Sequence, residues 1–384
     1  MLTVELHRHF EAGLRPETIA RLAARHGVTE ARTRSGQVLP GVDPQDPESV
    51  RRYYRQVSQG FGRPDGFVRF VDSFGLPLSV IQSLEDLEEA VVDQFADCAE
   101  AGSLHTELRG SPFTYRETVD AGIEAIADAL VRGADRAWAE RGVSGTFILA
   151  FSRQKGLGGP DAPAVSRQAG AVATLAATLH RSDRPVGLDI AGFPETTWPP
   201  RLFEDALRPA REAGVPLTVH AGEQGRFPDF ADAPPELIVE AVERLGARRI
   251  GHGTALAASP SARAFVRDRG VAVECCPVSN ECMGFVPIER HPLPLFLREG
   301  LRVCLGTDDP LMFGPFSVGE TFDAIAGALG VGAEALSQLT RNGIEAAFVT
   351  EERRAWLRAR LAAAAPRPPS PGSAPFRPAR YRHP

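Results

Sequence analysis

Residues 1–10 read MLTVELHRHF, an apolar run at 2–6 leading straight into His7 and His9. Side chains on a strand alternate with period two, so histidines spaced i, i+2 project to the same side. Both imidazoles can then bind one ion, and Arg8 between them is expected to point away from the barrel interior. Two distant stretches supply matching donors: His220 in TVHAGE (218–223) and Asp308 in GTDDP (306–310). Three imidazoles and a carboxylate suit zinc or a similar divalent metal. Glu223 lies three residues after His220, and Asp309 directly after Asp308. A metal with an acid or base beside it is the equipment for activating water.

The run at 2–6 is the first of eight. The others are 104–108 before Arg109, 145–151 before Arg153, 186–190 before Gly192, 216–219 before His220, 248–250 before His252, 271–275 before Pro277 and 301–305 before Asp308. Helix-like stretches separate most of them, at 116–141, 164–180, 201–213, 235–245, 259–269 and 292–299. Strands alternating with helices imply parallel βα units, and eight such units imply a closed (β/α)8 TIM barrel. Such barrels place their active sites at the C-terminal strand ends, where this chain repeatedly carries His, Asp, Arg or Glu.

A single barrel domain is expected over 1–364, with an inserted helical lid at 27–85. Within it, GRPDGFVRFVDSF (62–74) sets Phe67, Val68, Phe70, Val71 and Phe74 at near-helical spacing. Packing of the insertion onto the barrel is an alternative compatible with a lid. Residues 365–384 are rich in Pro, Ser and Arg, cannot bury a core, and are expected to be disordered.

Hydrophobic content of 43%, charged content of 24% and a net charge of −6 describe an ordinary globular enzyme-sized chain rather than a dedicated nucleic-acid binder. No apolar run reaches membrane-spanning length, and the N-terminus lacks a signal-peptide pattern, so a cytoplasmic location is expected. The cysteines, at 98, 275, 276, 282 and 304, are odd in number and match no CxxC framework. They read as small hydrophobes in a reducing compartment, without disulfides. Phosphate-binding GxGxxG and P-loop patterns are absent, as is a GxSxG elbow.

His252 stands between two glycines in IGHGT (250–254), at the same expected mouth as the metal. Asp308 and Asp309 would repel each other unless one binds a metal or takes a proton. The competing reading makes Asp309 a helix cap before Pro310. Ser279 and Asn280 in CPVSN (276–280) can hold a ligating or catalytic side chain in place, or simply mark a turn.

Taken in order, ELHRHFEAG, ELRGSP, GLDIAG, VHAGE, RIGHGT, CPVSN and GTDDP resemble the adenosine deaminase family of the amidohydrolase superfamily. The resemblance implies a zinc-containing (β/α)8 barrel, with one zinc per chain held by His7, His9, His220 and Asp308. It implies that Glu223 protonates purine N1 and that His252 orients and deprotonates the attacking water. Asp309 would bond N7, the backbone of Gly192 would meet N3, and His9 and Glu11 would complete the substrate side. The reaction implied is hydrolytic loss of the 6-amino group from an aminopurine nucleoside.

Two departures fall on the sugar side. The family commonly reads HLDG where this chain has HFEAG, so Glu11 replaces an Asp that meets the ribose 5′ hydroxyl; Gln154 stands where animal members have His. A 5′-extended nucleoside such as aminodeoxyfutalosine, or adenine itself, therefore stands beside adenosine as candidate substrate. Two other readings are a non-catalytic binding descendant, which loss of Glu223 or His252 would support, and hydrolysis of an amide, lactam or phosphotriester. No nucleic-acid or membrane partner is expected, and a homo-oligomer is left open.

Overall fold

The apolar runs become eight parallel strands: β1 (Thr3–His9), β2 (Ser103–Gly110), β3 (Gly145–Ser152), β4 (Val186–Ala191), β5 (Leu217–Ala221), β6 (Arg249–His252), β7 (Ala272–Cys275) and β8 (Arg302–Leu305). The computed structural model describes residues 1–63, 65–153, 162–181, 186–193, 195–223, 232–314 and 317–364. The strands lie in sequence order in one sheet. A parallel bridge between Arg8 and Asp308 brings its two edges together. At this seam His9 N donates to Asp308 O at 2.9 Å and Asp308 N to His7 O at 2.8 Å. The Glu5 carboxylate spans the same seam, accepting from His7 N at 2.8 Å and Thr307 N at 3.0 Å. The chain is thus a TIM barrel, closed by backbone contacts between the first strand and Asp308.

Helices cover the outside of the sheet. Leu84–Glu100 begins where Ser83 accepts from Asp86 N at 3.1 Å. It buries Leu87, Ala90, Val91, Gln94, Phe95 and Cys98, one stripe at helical spacing. Two expected helices are shorter in the structure. The first starts only at Ile123, because Gly122 is extended and breaks the run. Of 201–213, only Arg208–Glu212 is α-helical. Pro209 lacks the N–H that a helix running in from 201 would have to donate. The insertion is helical over Pro47–Val57, Gly66–Ser73 and Gly75–Ser79. Residues 31–39 instead turn back on themselves through an Arg32–Val38 bridge.

The tail at 365–384 and Gln154 lie outside the described residues. All five cysteines are free, four of them buried. No helix among the described residues is long and apolar enough to cross a membrane.

The barrel lumen is polar. Glu274 on β7 accepts from His7 Nδ1 at 2.7 Å, Arg109 Nη2 at 2.9 Å, Thr218 Oγ1 at 2.9 Å and Arg249 Nε at 2.6 Å. Arg109 also donates to Asp189 at 3.2 Å and to the Leu6 carbonyl at 2.6 Å; Arg249 also pairs with Glu107. Arg109 therefore turns down into the lumen and lines no part of the mouth. Burial opposes ionisation of Glu274, but Arg109, Arg249 and His7 outweigh it and hold its carboxyl well below the usual range.

Removing one partner of a buried ion pair strands the others, at a cost of about 3–5 kcal/mol. Glu274→Leu should show a loss of that size in urea unfolding of metal-free protein. A loss below about 1 kcal/mol would mean that this carboxylate does not organise the lumen.

Candidate active site

Four buried side chains at the C-terminal mouth (His7, His220, His252 and Asp308) present one donor atom each, all within 4.8 Å of one another. His9 joins them: its Nε2 lies 3.3 Å from His220 Nε2 and 3.3 Å from Asp308 Oδ1. The strand period does what the HxH spacing implied, and Arg8 turns the other way, onto the Gly13 carbonyl at 2.8 Å and Thr307 Oγ1 at 3.3 Å. His7 Nε2 is buried, has no hydrogen-bond partner among the described residues, and lies 3.4 Å from Asp308 Oδ1. An orphaned imidazole nitrogen among two more imidazoles and a carboxylate fits a divalent metal.

Each ring is oriented from behind. Glu274 holds Nδ1 of His7, and Asp189 Oδ1 holds Nδ1 of His220 at 3.1 Å. Nε2 of both rings is thereby directed at the centre. Ser279 Oγ donates to Asp308 Oδ2 at 2.6 Å. Close approach matters as well: a Cβ on Gly306 would stand 2.4 Å from His7 Cβ, and one on Gly251 would stand 2.9 Å from His7 Cε1. Among the described residues, His252 (φ 61°) and Asp308 (φ 62°) are the two non-glycine residues with positive φ. Each such conformation costs about 1–3 kcal/mol, and both fall on residues of this group.

Electrostatics separates the roles. Burial pushes His252, His9 and His220 below the usual imidazole range, leaving the neutral form that ligates metals. His7 moves up: burial and Arg109 oppose its protonation, but Asp308 and Glu274 outweigh them. Metal binding displaces such a proton. Asp308 is held well below the usual carboxyl range, since His7, His252 and His9 outweigh its burial. Its neighbour Asp309 goes far up, driven by burial and then by Asp308 and Glu11. The adjacent pair is thus driven apart, Asp308 toward the ionised form and Asp309 toward the protonated one. Asp309 makes no side-chain cap, and its buried Oδ1 has no partner among the described residues; the capping alternative is not what the structure adopts.

Burial, then the carboxylates of Asp308, Glu195 and Asp309, raise Glu223 well above the usual range. It can therefore carry a proton near neutrality. Asn280 Nδ2 reaches Glu223 Oε1 at 3.1 Å and His252 Nδ1 at 3.3 Å, so CPVSN supplies supports and not merely a turn. Glu195 accepts from Gly222 N at 2.7 Å and Glu223 N at 3.1 Å, fixing the VHAGE turn. Arg153 donates to the carbonyls of Gly192 at 3.0 Å and His220 at 2.7 Å, tying three strand ends together. Sequence reasoning missed the roles of Asp189, Glu195 and Glu274. The first and last were signalled only by an acid inside an apolar strand run.

These groups face a cavity of about 410 Å³ that His9, Glu11, Gly192, His220, Glu223, His252, Asp308 and Asp309 all line. Phe67, Phe70, Val71 and Phe74 of the insertion line it too, while Val68 is exposed. Phe70 stacks on Phe313 with centroids 5.6 Å apart, so the insertion both packs on the barrel and walls the cavity.

A TIM barrel with a buried His/Asp metal group beside acid–base side chains at its C-terminal mouth defines a metal-dependent hydrolase of the amidohydrolase type. Residues 3–364 match the adenosine deaminase family, and the chain belongs to that family of aminohydrolases. It is 29% identical over 360 residues to the adenosine deaminase of Erwinia tasmaniensis, covering 94% of this chain and 97% of that one. An adenine deaminase from Arthrobacter aurescens superposes with a TM-score of 0.74 at 26% identity, over 94% of this chain and 98% of its own. An amidohydrolase from Burkholderia ambifaria, solved with bound Zn, shares the fold at TM-score 0.74 and 24% identity, over 94% of this chain and 90% of its own.

Loss of an orienting carboxylate behind a metal-binding histidine typically costs about 10–100-fold in metal affinity. Asp189→Asn should weaken zinc by that factor in a chelator competition. Affinity equal to wild type would mean that Asp189 does not orient His220 for a metal.

Proposed function

We propose that this chain is a single-zinc deaminase that hydrolyses the C6–amino bond of an adenine nucleoside, converting adenosine to inosine and ammonia. The observation that carries the reading is the grouping of Glu223, His252 and Asp309 in one cavity around the metal group. His7, His9, His220 and Asp308 would hold the ion. Zinc seated there supplies Lewis acidity that lowers the pKa of water toward neutrality.

The chain's own groups account for the protons. Glu223 gives its proton to N1, which draws electrons from C6 as the water oxygen bonds there. His252, kept neutral by burial, takes a proton from that water. Asp309 donates a hydrogen bond at N7, and the backbone of Gly192 meets N3, so the ring is fixed while its aromaticity is lost. The proton held by His252 leaves with the amino group as the C6–N bond breaks, and the remaining hydroxyl proton returns to the Glu223 carboxylate, giving the 6-oxo group and restoring the acid. Water and adenosine in, inosine and ammonia out, balances.

A nucleoside suits the cavity better than the free base, because Glu11 and Arg34 line it in addition to the groups assigned to the purine. The same lining, and the extra methylene of Glu11 over an aspartate, favour a second reading in which the nucleoside carries a 5′ substituent such as that of aminodeoxyfutalosine. Ammonia release from adenosine, adenine, AMP and aminodeoxyfutalosine ranks these substrates. Adenine as the preferred substrate would overturn the nucleoside reading.

Protein purified without chelator should contain one zinc per chain; two would indicate a binuclear site. Glu223→Gln keeps the size of the side chain but removes its acid. It should retain metal and lower kcat by about 10²–10⁴-fold. Turnover within about threefold of wild type would remove Glu223 as the proton donor.

A further inference from the structure

Arg34 belongs to the insertion, and yet it lines the catalytic cavity together with Glu11. Its place at the Glu11 end is supported by Tyr115, whose buried hydroxyl has no hydrogen-bond partner among the described residues. The charges of both Glu11 and Arg34 act on that hydroxyl. In the reading above this is the sugar end of the cavity, although the Glu11 charge still reaches Asp309.

The arginine is anchored by its backbone. Arg34 N donates to the Asp72 carbonyl at 2.9 Å, and Ser35 N donates to Asp72 Oδ1 at 3.1 Å. Gly75 lies so close that a Cβ there would stand 2.4 Å from Arg34 N. The stem is therefore clamped to the segment that places Phe70, Val71 and Phe74 on the cavity wall. Like Arg34, Arg52 and Arg55 of the insertion have no carboxylate partner among the described residues, but both are exposed, whereas the other arginines near Arg34 are paired. Arg32 pairs with Glu30, Arg51 with Glu17 and Glu48, and Arg69 with Asp65 at 2.7 Å. Arg34 is half-buried and has no carboxylate within 4.0 Å among the described residues.

The other ionisable side chains facing the cavity are acids (Glu11, Glu223, Asp308 and Asp309), apart from the histidines. A neutral nucleoside gives an unpaired guanidinium there nothing to neutralise. An anionic substituent does, and the planar fork of arginine matches carboxylate and phosphate with two parallel hydrogen bonds.

We propose that Arg34 is a specificity-determining residue that receives an anionic group, carboxylate or phosphate, carried on the 5′ side of the substrate. This rests on the deaminase reading and narrows its substrate class. Binding energy gained at that remote group can be used to orient the purine, so it is read in kcat/KM.

The test uses matched pairs on the zinc-loaded full chain. One pair is 5′-deoxy-5′-(2-carboxyethylthio)adenosine and its methyl ester; the other is AMP and adenosine. A charge-assisted contact is worth about 1.5–3 kcal/mol, or roughly 10–150-fold. Wild type should favour the anion by that factor in at least one pair, and which pair does so distinguishes a distal carboxylate from a 5′-phosphate. Arg34→Met should bring the favoured pair level, and Arg34→Lys should keep part of the preference. Each ratio is internal to one protein, so partial misfolding does not imitate the result. A wild-type ratio near one in both pairs, or a ratio unchanged in Arg34→Met, would overturn the assignment. Calorimetric binding of the corresponding inosine acid and ester reads the same preference without turnover. Absence of ammonia from every substrate would therefore tell against the deaminase reading, while the Arg34 assignment would stand or fall on the binding ratio.

Discussion

The contact on which the rest of the molecule depends is that between the Glu274 carboxylate and His7 Nδ1, 2.7 Å apart in a lumen closed to water. A lone carboxylate there would be protonated. Arg109 and Arg249 keep it ionised, and the ionised form fixes the tautomer and tilt of His7. Arg109 in turn reaches Asp189, which orients His220. Two strands' worth of metal ligands are thus set by one buried charge network. That network uses alternating interior positions of the barrel that an apolar core would otherwise fill. A purely hydrophobic lumen of equal volume could be as stable, but it could not aim imidazoles.

At the mouth, Asp308, Asp309 and Glu223 share one cavity, and their different surroundings drive them in different directions. Asp308 faces imidazoles and the Ser279 hydroxyl and stays ionised. Asp309 and Glu223 face other carboxylates and are driven toward the protonated form. Separation of titratable groups by environment is how one site holds both a ligand and proton donors at neutral pH. Glu195 contributes twice, holding the backbone of the VHAGE turn while adding, after burial and Asp308, to what raises the Glu223 carboxyl.

What could be read from the chain follows from this division. Strand ends that bear chemistry require particular residue types in short fixed spacings, so ELHRHF, VHAGE, IGHGT and GTDDP were legible, and with them the eight strands and the barrel. The supports were not. Glu274 lies 267 residues from its histidine, and nothing local in VAVECC says which partner it meets. Arg109 and Arg153 sit at strand ends like the ligands, but their long stems fold back onto carbonyls and carboxylates, a choice that spacing does not encode. Helix limits failed where Gly122 and Pro209 interrupted otherwise helical composition. The Phe67–Phe74 periodicity was readable because its apolar face packs, whereas the turn carrying Arg34 has no period at all.

The seam at Arg8 and Asp308 has a consequence for how the protein comes into being. One wall of the metal group is made within the first ten residues of the chain and the other only after residue 300. A ribosome-bound chain that lacks the eighth strand holds His7 without Asp308, and so has neither a complete ion site nor the acid pair. Closing a loop of about 300 residues is entropically demanding, and an ion that binds only the closed form adds its binding free energy to that step alone. An ion held by the joined group would thus favour the closed barrel over every form in which the seam is open.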